Sequence, residues 1–317
     1  MITLRQLRYF LALAASGHFG RAAEAAGVTQ PALSMQLRDL EATLGGALVE
    51  RAAAGATLTE LGTEVAARAA RILAAVRDLE EIARARGEPL SGPLRLGIIP
   101  SVAPYLLPRL LDRVAAQYPR LQLIVRETMT HQLVDELAAG ALDAIVASLP
   151  LDAEGFEAAA AFDDVFLLAA PAGSPHAARS PAFVDLIDAD ELLLLEDGHC
   201  LREQALAVCR AVDPRRLRSF GATSLATVLQ LVAAGQGITL VPQLAVDAGV
   251  LADPRLKLVR FAAPEPRRSL GIAWRRNSPR GSDFRALAEL VRAAGAPAAA
   301  AQSVPRRRHK PGAKARS

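Results

Sequence analysis

Cysteine is nearly absent from this 317-residue chain, Cys200 and Cys209 being its only two. A chain of that size with so few thiols is not a disulfide-built extracellular scaffold, and it suits a compartment where thiols start reduced. Runs of apolar residues long enough to cross a bilayer are also missing. Arg5 and Arg8 followed by Tyr9 to Ala15 look superficially like a signal peptide. The apolar stretch is short and has no convincing cleavage site, however, and Leu4, Leu7, Phe10, Leu11 and Ala14 recur with helical period. A cytoplasmic protein without a membrane partner is therefore expected. The five histidines are scattered with no ligand spacing, so neither a metal nor an organic cofactor is expected.

Half of the residues are apolar, enough to build cores, and the length suggests about two to three domains. The net charge of +4 is unevenly placed, because Arg306, Arg307, Arg308, Lys310, Lys314 and Arg316 crowd the last residues without an acid among them. The rest of the chain is slightly acidic, so global charge is no evidence of nucleic-acid binding. The tail, residues 301–317, has a composition that favours disorder, with auxiliary phosphate contact a lesser role.

Residues 1–58 have the sequence logic of an all-α winged helix-turn-helix. Arg21 to Ala26 reads as a short helix ended by Gly27, and Thr29 offers a hydroxyl cap to a second helix with Pro31 in its first turn. Leu33, Leu37, Leu40 and Leu44 share one face of that helix. The opposite face presents Gln30, Ser34, Gln36 and Arg38, side chains suited to base edges and phosphates when a helix N-terminus enters a major groove. Thr29, Gln30, Pro31, Ser34, Gln36 and Arg38 are the candidate DNA contacts, joined by Arg51 from a short hairpin before Gly55. The same pattern also describes an ordinary three-helix domain with a solvated face. Residues 59–88 continue as one long helix, in which Leu61, Val65, Ala69, Ile72, Val76, Leu79 and Ala83 are separated by gaps of four or three. That is the seam of a two-stranded coiled coil, and a dimer reading a palindromic site follows from it.

Pro89, Gly92 and Pro93 punctuate a linker, after which strands and helices alternate to residue 300. Strands are expected at Leu94 to Ile99, Leu121 to Glu127 and Leu142 to Ser148, with helices near Tyr105 to Gln117 and His131 to Ala139. A second set is expected at Asp164 to Ala170, Glu191 to Glu196, Ser219 to Thr223 and Gly237 to Pro242. The reading is an α/β domain with a largely parallel sheet. It has two Rossmann-like lobes, about 89–163 with 268–300 and about 164–267, and a ligand cleft between them.

The two cysteines bracket a segment that reads helical from Leu201 to Val208, after the break at Gly198. In one helix, nine residues at a rise of about 1.5 Å keep the sulfurs more than about 10 Å apart. A disulfide needs Cα atoms within about 7 Å, so joining them requires the helix to unwind. Cys200 falls near a helix N-terminus, where the dipole favours a thiolate, and His199 and Arg202 add donors. From spacing alone the plainer reading is two small hydrophobes in a helix.

The run RAAEAAGVTQPALSMQLRDLEATLGGALVER resembles the DNA-binding domain of the LysR-type transcriptional regulators, with Met35 a departure. GIIPSVAPYLLP, ETMTHQLV, LLEDGHCLREQALAVC, ATSLATVLQLVAAGQGITLVPQLAV and PEPRRSLG, in that order, resemble the hydrogen peroxide-sensing branch of that family. The regulatory domain is then periplasmic-binding-protein-like. The resemblance implies Cys200 as the peroxidatic, sensing thiol and Cys209 as the resolving one, joined in a disulfide. It implies a peroxide pocket of Ser101, Thr130, His199 and Arg268, with Arg268 alone or together with Arg267 supplying positive potential. Ser101 stands where the family usually has threonine, and Glu203 where it often has aspartate. Partners implied are double-stranded promoter DNA, RNA polymerase, hydrogen peroxide and further copies of the chain, as a homodimer or homotetramer. Bland readings stay open: Ser101 and Thr130 as helix caps, His199 satisfying a backbone group, and Arg267 and Arg268 as a solvated cluster beside Glu265. A regulator binding a small carboxylate in the cleft, a thiol peroxidase and an exported solute-binding protein are the alternatives. The N-terminal helices argue against the last two.

Deleting residues 304–317 is expected to weaken DNA binding modestly and to flatten its salt dependence, measured as the slope of log affinity against log salt. An unchanged slope removes any role for the tail.

Overall fold

A computed structural model describes residues 1–52, 55–84, 89–209, 218–219, 221–250 and 253–296. The expected tail, 301–317, lies outside them. Thr3 opens the first helix, α1 (Leu4–Ser16), through a reciprocal box with Gln6, and Gly17 closes it in a left-handed conformation. After α2 (Phe19–Ala25), the Thr29 side chain caps α3 (Gln30–Leu44) by accepting from the Ala32 amide. Leu7, Phe10, Leu13, Ala22, Leu33, Leu37 and Leu40 form the core these helices share. Leu4 is exposed instead, because the inward stripe of α1 runs through Leu7, Phe10 and Leu13. A two-stranded antiparallel wing, β1 (Val49–Ala52) with β2 (Gly55–Leu58), completes the unit.

Thr59 accepts from the Gly62 amide at 2.9 Å and starts α4 (Glu60–Arg84). The seam splits between two jobs. Ala69 is buried with Leu73 against the chain's own N-terminal core, whereas Leu61, Ile72 and Leu79 stay exposed. A 3.6-residue helix carries more than one apolar stripe, and α1 covers one of them. The side chain of Ala83 lies outside the described residues. Further along, α4 docks on the regulatory domain, where Asp78 pairs with Arg275 at 3.1 Å.

The regulatory domain begins β3 (Gly92–Ile98), α5 (Ala103–Gln117), β4 (Leu121–Glu127), α6 (Thr130–Ala138) and β5 (Ala144–Leu149), with β3 parallel to both β4 and β5. The chain then crosses in one strand, β6 (Phe156–Pro171), and continues through α7 (Pro175–Ala178), β7 (Leu193–Leu194), α8 (Cys200–Val208), β8 (Arg218–Ser219), α9 (Leu225–Ala233), β9 (Thr239–Pro242), α10 (Gln243–Asp247) and β10 (Leu256–Arg260). It returns in β11 (Arg267–Arg275) and ends in α11 (Gly281–Gly295). The sheet runs β10-β6-β11-β5-β3-β4, with β9 also on β6.

That order corrects the expectation of a largely parallel sheet. β6 leaves the first lobe and β11 returns to it, so the two crossing strands run in opposite directions, and β11 is antiparallel to β5 and β6 alike. Residues Asp164 to Ala170 are only the second half of β6, and the strands expected near 191–196 and 219–223 shrink to the two-residue pair β7 and β8. Two cores lie on either side of the crossing. One gathers Leu96, Ile98, Leu106, Ile272 and Phe284; the other gathers Phe166, Leu168, Leu201, Leu229 and Leu240.

Gly140, after α6, has φ +71°, and a Cβ there lands 2.2 Å from the Cβ of Ala74 on α4. Gly249 is equally left-handed at +81° but faces open space. Gly140→Ala is expected to lower the thermal midpoint more than Gly249→Ala, whose cost is the backbone alone, about 1–2 kcal/mol. Calorimetry of the two variants compares them.

Candidate redox and DNA-binding sites

Cys200 sits where three helix beginnings meet. The turn after β3 carries Ser101, α6 starts at Thr130, and Gly198, at φ +88°, turns the chain so that His199 becomes the N-cap of α8 and Cys200 its first residue. A helix N-terminus stabilises negative charge, and the sulfur is half-buried there. Ser101 Oγ lies 3.7 Å from Cys200 Sγ. Arg268 Nη1 donates to the same hydroxyl at 2.8 Å, and the hydroxyl keeps its own proton and a second lone pair for the sulfur.

Arg268 stands behind Ser101 rather than against the thiol. Its guanidinium donates to Asp164 Oδ2 from Nε at 3.0 Å and from Nη2 at 2.9 Å, and to the Ser101 carbonyl at 3.2 Å. Both side chains of the Arg268–Asp164 pair are almost wholly buried, and they are direct cross-strand partners of β11 and β6. Asp164 Oδ1 also accepts from the Leu244 amide in the first turn of α10, at 2.9 Å. The positive charge is matched on the spot, and what reaches the sulfur is a polarised hydroxyl. Arg267, next in the strand, faces away, 3.4 Å from exposed Asp163. Glu265 pairs with Arg260, so the expected solvated cluster of Arg267, Arg268 and Glu265 does not form.

Thr130 Oγ1 and His199 Nε2 are buried without a hydrogen-bond partner among the described residues. Neither Ser101 nor Thr130 caps its helix, since α5 and α6 have no side-chain cap. Leaving two such groups unpaired costs about 1–3 kcal/mol each, an outlay that marks a polar ligand site. Both line a narrow crevice with Ser101, Met129 and Cys200. A wider cleft of about 500 Å³ opens beside it, bordered by Thr130, Asp135, Asp152, Cys200, Glu203 and Gln204. Arg202 braces the turn, donating to the Leu195 carbonyl at 3.1 Å and pairing with Asp197 at 2.8 Å.

Asp164 and Gln204 were missed by sequence reasoning. Asp164 had a signal, a carboxylate at the head of the apolar run Val165 to Ala170. Gln204 had none. Its amide donates to Ser148 Oγ at 2.7 Å, and its carbonyl accepts from Arg268 at 3.4 Å, tying α8 to the first lobe. Cys209 is the C-cap of the same helix and is buried in the second core, while Cys200 packs on the first. The two are free thiols at opposite ends of α8. Among the described residues, no three His, Cys, Asp or Glu side chains gather to hold a metal.

On α3, Gln30, Pro31 and Arg38 are exposed, Ser34 and Gln36 half-buried, and Met35 is 52% exposed. Thr29 spends its hydroxyl on the cap. Arg38 Nε donates to the Ser34 carbonyl at 3.3 Å. The side chain of Arg51, in β1, lies outside the described residues.

Burial pushes the Cys209 thiol up from 9.0 to about 11. In the folded protein it is expected to resist alkylation until the pH approaches that value, and in urea to react near the ordinary thiol range. The unfolded chain releases this proton first, so the thiol's contribution to stability is complete below about pH 9 and is lost as the pH rises through about 11. Denaturant midpoints across that window, with Cys209→Ala as reference, measure the effect.

Two family models match the chain, the bacterial regulatory helix-turn-helix of the lysR family over residues 4–63 and the LysR substrate binding domain over residues 87–296. The DNA-binding transcriptional dual regulator OxyR of Escherichia coli is 40% identical, the match covering 92% of this chain and 95% of that one. Full-length OxyR from Pseudomonas aeruginosa, as a cysteine-to-aspartate variant, superposes with a TM-score of 0.78 at 35% identity, over 92% of this chain and 95% of the other. A Corynebacterium glutamicum OxyR cysteine-to-serine mutant with hydrogen peroxide bound gives 0.64 at 34% identity, over 92% of each chain. This chain belongs to the LysR family of DNA-binding transcriptional regulators, which are not enzymes, and within it to the OxyR branch.

Proposed function

We propose that this regulator senses hydrogen peroxide in the cytoplasm through Cys200 and transmits the signal by a Cys200–Cys209 disulfide. The observation that carries the reading is the half-buried thiol facing a polarised Ser101 hydroxyl beside two unpaired polar atoms, Thr130 Oγ1 and His199 Nε2. Hydrogen peroxide both donates and accepts at each oxygen, so it can pair with both. The Cys200 thiolate attacks one peroxide oxygen, an S–O bond forms as the O–O bond breaks, and the departing hydroxide takes a proton to leave as water. Sulfur loses two electrons and becomes a sulfenic acid. Cys209, withdrawn from the core that keeps it protonated, then attacks that sulfur, its proton passes to the hydroxide released as the S–O bond breaks, and a second water leaves with a disulfide behind it.

Closing that bond unwinds α8, withdraws Cys209 from the second core and breaks the Gln204 contacts with Ser148 and Arg268. The lobes and the faces they present to other copies shift with it, and so do the DNA-binding units, paired through the exposed Leu61, Ile72 and Leu79 of α4. A homotetramer of such dimers on promoter DNA, contacting RNA polymerase, is the assembly this reading implies.

The rival, a small carboxylate in the wide cleft, fits less well. Asp135, Asp152 and Glu203 line it, and among the described residues neither lysine nor arginine does. About one equivalent of peroxide, followed by alkylation and peptide mapping with promoter footprinting, is expected to give the disulfide and a changed footprint in the parent and neither in Cys200→Ser. Both thiols staying alkylatable with an unmoved footprint overturns the reading.

A further inference from the structure

The crevice beside Cys200 is too narrow to hold even a water molecule until one of its walls moves. Its lining offers few that can. Ile99, Ser101, His199 and Leu201 are buried, Ile99 and Leu201 belong to the two apolar cores, and Pro100 and Gly198 have no flexible side chain. Thr130 and Cys200 are the first residues of their helices. Met129 is the exception. It is half-buried at the N-cap of α6, unbranched, and turns about three side-chain bonds.

Its sulfur rests on the bare face of Gly198, within 2.9 Å of where a Cβ would stand. Met129 and His199 border the crevice alone, whereas Cys200 and Thr130 also face the wide cleft. Peroxide can therefore arrive by the cleft, but to pair with His199 Nε2 as it reacts it has to enter the crevice, against the Met129 wall. In-line displacement puts the leaving oxygen, and anything bonded to it, on the side away from sulfur. For hydrogen peroxide that substituent is a hydrogen. For an alkyl hydroperoxide it is a carbon group directed at the thioether.

We propose that Met129 is a specificity-determining residue, the movable wall that admits hydrogen peroxide to Cys200 and rejects alkyl hydroperoxides by size. The proposal rests on the peroxide-sensing reading above. Both oxidants take two electrons from sulfur, the O–O bond breaking to release water from one and the corresponding alcohol from the other, so only the bulk of the leaving group differs.

The test uses the full-length reduced protein and measures how fast alkylatable Cys200 disappears with hydrogen peroxide and with cumene hydroperoxide, in the parent, Met129→Ala and Met129→Leu. The ratio of the two rates cancels any general loosening of the fold. Met129→Ala is expected to raise the cumene-to-hydrogen peroxide ratio by about tenfold or more, the scale at which a few methylenes discriminate in a pocket. Met129→Leu, which keeps the bulk without the sulfur, is expected to leave it at the parent value. An unchanged ratio in Met129→Ala overturns the wall while leaving the peroxide reading intact, and a rise in both variants overturns size as its basis. Cys200 unreactive to hydrogen peroxide in the parent overturns the peroxide reading and the wall together.

Discussion

The arrangement around Cys200 depends on one buried ion pair, Arg268 with Asp164. Removing two charges from water costs several kcal/mol each, and such a pair holds only when the remaining donors and acceptors are satisfied. Here they are. Arg268 spreads its donors over Asp164, the Ser101 hydroxyl and carbonyl and the Gln204 carbonyl, while the second Asp164 oxygen takes the Leu244 amide. The guanidinium also lies 5.8 Å from the centre of the Phe166 ring. Because the pair joins β6 to β11, the two strands that cross between lobes, one interaction fixes the crossing, the Ser101 turn and the near end of α8 together.

The helix between the cysteines is held at both ends by unlike forces. Cys200 is placed by polar contacts to the first lobe, through Ser101 directly and Gln204 one turn later. Cys209 is placed by apolar burial in the second core, which also keeps its proton on. A bond between them cannot form without sacrificing one set. An element of nine helical residues, short enough to be marginal on its own, can be unwound at tolerable cost. If the proposed disulfide forms, α8 therefore has two discrete arrangements, one held by the two sets of contacts and one by the bond.

Much of this was legible in the sequence, and the legible parts share a cause. Thr29 announces a helix start and Gly27 a helix end, because capping and left-handed turns are local chemistry. Cys200 at the head of a helix and Cys209 beyond reach of it follow from the same local arithmetic. The inward leucines of α3 follow from helical period. Strand direction was not legible, since the pattern of β6 and β11 is equally apolar whichever way a neighbour runs. Nor was the split seam of α4, where the period is the same for a stripe facing α1 and one facing outward.

By itself, then, the sequence determined what depends on neighbours within a few residues: the helix-turn-helix, the long α4, the position of each thiol along α8, and a family membership written in contiguous motifs. Tertiary structure alone decided which groups meet. Asp164 opposite Arg268 is set by strand register 104 residues apart, Ser148 against Gln204 by the closing of two lobes, and Met129 against Gly198 by the packing of α6 on the turn before α8. None of these pairings leaves a periodic trace, because a contact between distant segments is fixed by how two whole elements pack and not by the spacing of residues in either.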